Sequence, residues 1–338
     1  MTWVTWREAT TAALYAPGGF YRRPEGPADH FRTSVHASPL LASCVLALAR
    51  AAGFGLVVDV GSGRGELLRV LQRLASDLRL HGVDIAERPC DLPDAIAWSV
   101  ELPELDGALL FANEWLDNIP IDVVEQTDGG PRVVEVDSRT GAERLGGPPS
   151  AEDAAWLERW WPLSEADPGQ RAEVGWPRDR VWASAVSSLG RGIAVMVDYG
   201  HERAVRPPYG TMCSYQGGRM VPVLPDGSRD ITAHVAVDAC AVAGERAGAS
   251  TTLLTSQRAA LRALGLRGAR PPLELAHTDS RAYLHQLRSA AEQGELIDPH
   301  GLGSFCWLVQ SVGVPLPQAF EPLVAGSSGP VRSPAVVG

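Results

Sequence analysis

Leu56-Val57-Val58-Asp59-Val60-Gly61-Ser62-Gly63-Arg64-Gly65-Glu66-Leu67-Leu68 is the stretch that decides the fold. Leu56–Val60 is a short apolar run interrupted only by Asp59, the pattern of a parallel strand buried on both faces. Glycines at 61, 63 and 65 then make a tight turn. Over 66–80, Leu67, Leu71, Leu74 and Leu78 recur at helical spacing and give one apolar face. Residues 80–85 read as the next strand. Strand, turn, helix and strand form a right-handed βαβ unit, which implies a parallel sheet.

Open parallel sheets bind ligands outside the carboxyl ends of their strands. Three such ends carry polar groups here: Asp59 before the turn, Asp84 after the second strand, and Asn113-Glu114 after the apolar run 108–112. The turn is shorter than the G-x-G-x-x-G of dinucleotide enzymes, because Gly65 comes one residue early and Glu66 stands where that fingerprint needs glycine. Glycines allow positive φ and close approach of backbone to ligand. With Asp59 ahead of them, they suit a cationic, phosphate-free nucleoside such as S-adenosylmethionine. Asp59, Gly61, Ser62, Gly63 and Gly65 form the expected cradle, with Asn113 at the neighbouring strand end and Asp84 placed to accept the ribose hydroxyls.

Outward from this unit the chain reads as one α/β domain over 56–314, preceded by an N-terminal region and followed by a tail. Residues 1–55 carry a helix over 5–15 and a second over 40–52, with Ser38 as its N-cap and Pro39 in its first turn. An inserted region lies at about 121–190. It begins with a hairpin, 122–126 and 132–137 around Asp128-Gly129-Gly130, which is a candidate dimer or partner arm. Helices are expected over 151–161, 180–189, 253–264 and 277–292. Strands are expected over 192–197, which ends at Asp198-Tyr199-Gly200, and over 303–310. Residues 315–338, rich in Pro, Gly, Ser and Val without period, read as a disordered tail.

Composition narrows the chemistry. The 338 residues include 30 basic and 40 acidic side chains for a net charge of −10, and every basic one is arginine. Without lysine there is no Schiff base, no pyridoxal-phosphate lysine and no Walker-type phosphate lysine. An acidic chain with no basic run also argues against nucleic acid as partner. The 5 cysteines are scattered, with no C-x-x-C pair, as expected of reduced thiols and not of a metal centre. No apolar run approaches the roughly 18 residues of a membrane span. The N-terminal residues lack the apolar stretch of a signal peptide, so a cytoplasmic protein with no membrane partner is expected.

Further motifs give these features a common source. Ala13-Leu14-Tyr15-Ala16-Pro17-Gly18-Gly19-Phe20-Tyr21 is followed by Phe31-Arg32-Thr33-Ser34 and Ser38-Pro39. Beyond the glycine turn come Asn113-Glu114-Trp115-Leu116-Asp117-Asn118-Ile119-Pro120, Asp198-Tyr199-Gly200, Gly210-Thr211-Met212 and Asp230-Ile231-Thr232-Ala233-His234-Val235. In content and order these resemble the motifs of the MidA-type family of Rossmann-fold methyltransferases, over about 13–312. That family includes the mitochondrial complex I assembly enzyme that methylates a protein arginine. The resemblance implies a Rossmann-like class I methyltransferase sheet with an N-terminal helical lid and an inserted substrate region. It also implies S-adenosylmethionine as donor, and Tyr15, Tyr21, Phe31, Thr33 and Ser34 in the lid over it.

An arginine acceptor calls for carboxylates aimed at a guanidinium. Glu114 and Asp117, one turn apart, are candidates for that pair, with Asp198 at another strand end of the same sheet. His234 is a candidate neutral base, oriented by Asp230 or Asp198. Two departures fall on the acceptor side. Val35-His36 stand where the family shows Pro-Glu, and Ala236-Val237 where it shows Asp-Phe. The expected acceptor is therefore a protein or peptide arginine, or alternatively a small amine or hydroxyl compound. A non-catalytic assembly factor that binds the donor is a third reading, and the shortened glycine spacing speaks against a nicotinamide oxidoreductase.

Overall fold

The computed structural model describes residues 2–22 and 38–326. It opens with β1 (Trp3–Thr5) and α1 (Trp6–Tyr15), whose start is fixed by a capping box between Thr5 and Glu8. After α2 (Leu40–Ala51) come β2 (Leu56–Val60), α3 (Glu66–Leu74), β3 (Arg79–Val83), β4 (Ile96–Ser99) and β5 (Leu105–Asn113). The inserted region holds β6 (Asp122–Glu125), β7 (Arg132–Asp137), β8 (Glu143–Leu145), α4 (Ala151–Trp160) and β9 (Arg171–Val174). α5 (Trp176–Ser187) leads back to β10 (Leu189–Asp198). Short strands follow: β11 (Gly200–His201), β12 (Cys213–Gln216), β13 (Arg219–Val221), β14 (Asp230–Thr232) and β15 (Val235–Ala236). The chain closes with α6 (Val237–Arg246), β16 (Thr251–Ser256), α7 (Gln257–Ala263), α8 (Leu273–Thr278), α9 (Ser280–Leu296), β17 (Cys306–Val312) and α10 (Glu321–Gly326).

The main sheet has the order β16-β17-β10-β5-β2-β3-β4. Its pairs β10–β5, β5–β2, β2–β3 and β3–β4 are parallel, and β17 alone runs against both of its neighbours. Alternation along each strand feeds two cores. Val57, Leu109, Phe111, Ile193 and Val195 pack on one face with α2 and α3. Val58, Leu110, Ala112, Ala194 and Met196 pack on the other with Trp182 of α5 and Cys240 of α6. Successive strands β2, β3 and β4 are laid down in one direction, and β5 is then added on the other side of β2. The switch point of the sheet therefore lies between the carboxyl ends of β2 and β5, where the glycine turn and Asn113 stand.

A second sheet, β1-β7-β6-β9 with β8 on β7, covers the inserted region. The expected hairpin is present as β6 and β7, but it is no free arm: β9 pairs with β6, and β1 and β8 pair with β7. The span 253–264 is not one helix. Thr251 and Thr252 extend as β16, Leu253 pairs with Val309 of β17, and α7 starts only after Ser256, whose hydroxyl accepts the Ala259 N–H. Pairing with a buried neighbour outweighs a helical pattern at the edge of a sheet. Residues 315–326 are not a disordered tail either. Phe320 is fully buried in the main core, with Gln318–Phe320 a short 3₁₀ turn ahead of α10. Among the described residues no helix is long and apolar enough to cross a membrane, and no group of three or more His, Cys, Asp or Glu is placed to hold a metal ion.

Candidate active site

At the switch point the glycine turn is held by the strand beside it. The Gly61 and Ser62 N–H groups donate to the Val83 carbonyl at 2.9 and 3.3 Å, and Gly63 N–H donates to Asp84 Oδ2 at 2.8 Å. Gly61, Gly63 and Gly65 all have positive φ, at 70°, 57° and 75°. Ser62 Oγ donates to Asp59 Oδ2 at 2.8 Å, and Ala86 N–H donates to Asp84 Oδ1 at 2.8 Å. Burial pushes the Asp59 carboxyl up to about 7. Burial also raises Asp84, which its backbone N–H bonds pull back down. A carboxylate oxygen accepts more than one bond, so both acids keep acceptor capacity toward a ligand.

The turn forms one wall of a cavity of about 1200 Å³. Asp59, Gly61, Ser62, Gly63, Asp84, Asn113, Glu114, Asp117 and Tyr21 all line it, so most of the residues singled out in the sequence meet in one place. At the end of β5, Glu114 sits at φ 51°, the one non-glycine residue with positive φ among those described. Such a conformation in a glutamate costs energy and is found where a site demands it. Asn113 Nδ2 donates to Glu114 Oε1 at 2.9 Å. Asp117 Oδ2 accepts the Thr232 hydroxyl at 2.6 Å, while Asn113 Oδ1 and Asp117 Oδ1 are buried and accept nothing.

Beside these stand residues of the N-terminal region and of β14. The Tyr15 and Tyr21 rings stack at 5.7 Å, and Tyr15 OH donates to the Asn118 carbonyl at 3.0 Å. Tyr21 OH and Asn118 Nδ2 donate to Asp230 Oδ1 at 2.7 and 3.1 Å. Burial, helped by the Asp117 charge, lifts Asp230 to about 7, and burial raises Asp117 as well. Tyr21, expected over the donor, thus also reaches an acid from another strand.

Three expected site residues lie elsewhere. Asp198 is sealed: Oδ2 accepts the Leu116 and Asp117 N–H groups at 2.9 and 3.2 Å, and Oδ1 accepts Tyr199 N–H at 2.9 Å. It braces the loop after β5 and does not reach the cavity. His234 is not a wall residue. Its ring stacks on Tyr199 at 5.7 Å, and burial depresses it to about 4. Gly65 lies behind the turn, where a Cβ would meet Leu92 Cδ1 at 2.7 Å. Thr33 and Ser34, with Phe31, fall outside the described residues.

Sequence reasoning passed over Arg178. Fully buried, it donates to the carbonyls of Ile119, Ala233, His234 and Asp117 at 3.1, 2.9, 2.8 and 2.7 Å. It ties the loop after β5 to the β14–β15 link and offsets the charge of Asp117 and Asp198. All four partners are backbone groups, and they leave no motif. Trp115, Tyr199, Tyr215 and Thr232 also line the cavity, as does Asp230, which the sequence suggests only as an orienting partner of His234.

The model of a family of S-adenosyl-L-methionine-dependent methyltransferases matches residues 40–255, which include the glycine turn and every cavity strand of the main sheet. The chain belongs to this family. It is an S-adenosylmethionine-dependent methyltransferase, with that molecule as cofactor. A crystal structure of a COG1565 superfamily member from Burkholderia thailandensis, bound to S-adenosylhomocysteine, is 27% identical. The match covers 94% of this chain and 90% of that one, with a TM-score of 0.76. A second, native crystal structure of a COG1565 superfamily protein from the same organism is 28% identical, covering 97% and 91% with a TM-score of 0.73. Among curated proteins none matches the chain. In this methyltransferase the sheet order, with its one reversed strand, is the Rossmann-like arrangement expected.

Proposed function

We propose that this methyltransferase acts on a guanidinium, the side chain of an arginine in a protein or peptide, as a MidA-type enzyme. One observation carries the reading. The wall formed by residues 113–119 and 230–232 brings three acids, Glu114, Asp117 and Asp230, to the cavity and contributes no cation to it. Clustered carboxylates in a partly buried wall favour a ligand that is cationic and rich in hydrogen-bond donors. A guanidinium brings five N–H donors and one positive charge in a planar fork.

Asp59, Gly61, Ser62, Gly63 and Asp84 would hold the donor. The positive-φ turn brings backbone close to the ligand, the acids face its cationic amino-acid end and its ribose, and Asn113 borders the reacting methyl. S-adenosylmethionine supplies an electrophilic methyl on a sulfonium. The protein's own work is alignment of the acceptor nitrogen and exclusion of water. Glu114 holds the guanidinium, Asp117 adds its negative charge from behind it, and Tyr15, Tyr21 and Trp115 shield it.

Incubation with methyl-labelled donor and arginine-containing peptides, followed by acid hydrolysis, is expected to yield labelled methylarginine. With 30 basic residues, all arginine, the protein itself needs a peptide-free control for self-methylation. Label that appears only on a small amine or hydroxyl compound would overturn the proposal.

A further inference from the structure

The geometry points to Asp230 as the group that takes the proton from the acceptor nitrogen, held in place by Tyr21 and Asn118. The inference rests on the guanidinium reading above and adds the residue that reading leaves open. Methylation of a guanidinium needs a proton acceptor. The nitrogen lone pair forms the new N–C bond, the S–C pair returns to sulfur, and one N–H proton must leave. The product is again a cationic methylguanidinium, so the proton goes to the protein.

The other titratable groups near the acceptor wall are otherwise committed. Asp198 is sealed and takes three backbone N–H bonds on its two oxygens. His234 is outside the cavity. Asp117 accepts Thr232 with one oxygen and is sealed at the other. Glu114 sits at the strand end it shares with the donor side, bonded to the Asn113 amide. Asp230 lines the cavity from β14, and both of its side-chain donors, Tyr21 OH and Asn118 Nδ2, land on Oδ1. Both side-chain bonds fall on Oδ1, the Ile231 backbone N–H adds a third bond to the carboxylate, and Oδ2 is the oxygen assigned to the proton.

The titratable groups around Asp230 are few. Tyr15 and Tyr21 face it from the N-terminal region, Asp117 from the loop after β5, and Cys213 and Tyr215 from β12. Burial and neighbouring acids raise all four tyrosine and cysteine protons, so these groups stay neutral at ordinary pH and only Asp117 adds charge. The resulting lift of Asp230 to about 7 suits a base that works near neutrality.

The test combines binding and turnover in the whole protein. Arginine-peptide binding to the protein saturated with S-adenosylhomocysteine is measured calorimetrically at pH 6.5 in two buffers of different ionisation enthalpy. A proton released by the wild type, and none by Asp230→Asn, is expected. Turnover of Asp230→Asn falls by about a hundredfold or more, with S-adenosylhomocysteine affinity kept as the measure of an intact fold. In Tyr21→Phe the carboxylate loses a donor that favours its charged form, so the acid limb of the kcat profile moves up by about one pH unit. An unshifted limb in Tyr21→Phe, or near-normal turnover of Asp230→Asn, overturns the assignment. A wild type that methylates no arginine fails the guanidinium reading instead, and the two failures are distinct.

Discussion

Gly61 and Trp115 stand against each other: a Cβ on Gly61 would lie 2.8 Å from the indole Cδ1. The glycine turn after β2 and the loop after β5 are thus packed together, which joins the proposed donor side to the proposed acceptor side. Gly61→Ala meets both this overlap and a φ of 70° that L side chains avoid, which alone costs about 1–2 kcal/mol. Affinity for S-adenosylhomocysteine, measured by titration calorimetry, is expected to fall at least tenfold. Unchanged affinity would mean that the turn is not the donor cradle.

Glu114 carries its side chain at φ 51°, so its two roles, backbone and carboxylate, separate by substitution. Glu114→Gly and Glu114→Ala both remove the carboxylate and are expected to lose methyl transfer by two orders of magnitude or more. Only the glycine relieves the backbone, and it should be about 1 kcal/mol more stable than the alanine variant in denaturant unfolding. Equal stability of the two would show that the left-handed backbone is not imposed by the fold.

Asp59 gives a signed pH dependence. Its carboxyl is raised to about 7 by burial, so between the ordinary carboxylate range and that pH the folded protein holds a proton which the unfolded chain has lost. That stabilising term is complete below the unfolded value and vanishes as pH rises through about 7. A cationic donor favours the ionised form, so donor affinity should climb several-fold from pH 6 to pH 8. In Asp59→Asn the climb is expected to flatten, and an identical slope in both proteins would place the proton elsewhere.

Phe320 tests the end of the domain. It is fully buried among the residues of the main core, although the segment that carries it reads as a tail. Phe320→Ala is expected to cost about 3 kcal/mol in equilibrium unfolding. A loss below about 0.5 kcal/mol, the range of surface changes, would show that this segment does not belong to the cooperative unit.

Much of the architecture was legible because it is written in local pattern. The apolar run at Leu56–Val60, the positive-φ glycines and the leucine stripe of α3 each follow from short-range sterics and periodicity, and together they determine a parallel sheet with a glycine turn at its switch point. The acids at strand ends were legible for the same reason, since a strand end is a local feature. Tertiary structure decided which of those acids meet the cavity. Asp198 and Asp117 end or follow neighbouring strands, yet Asp198 is spent on backbone N–H groups while Asp117 keeps an oxygen without a donor. Arg178 and Tyr21 reach their partners across some 60 and 209 positions of chain, respectively, by bonds that leave no spacing to read. Sequence alone determined that this protein builds a nucleoside cradle. The packing of distant segments decided what faces it, because burial and hydrogen-bond partners are properties of the whole fold.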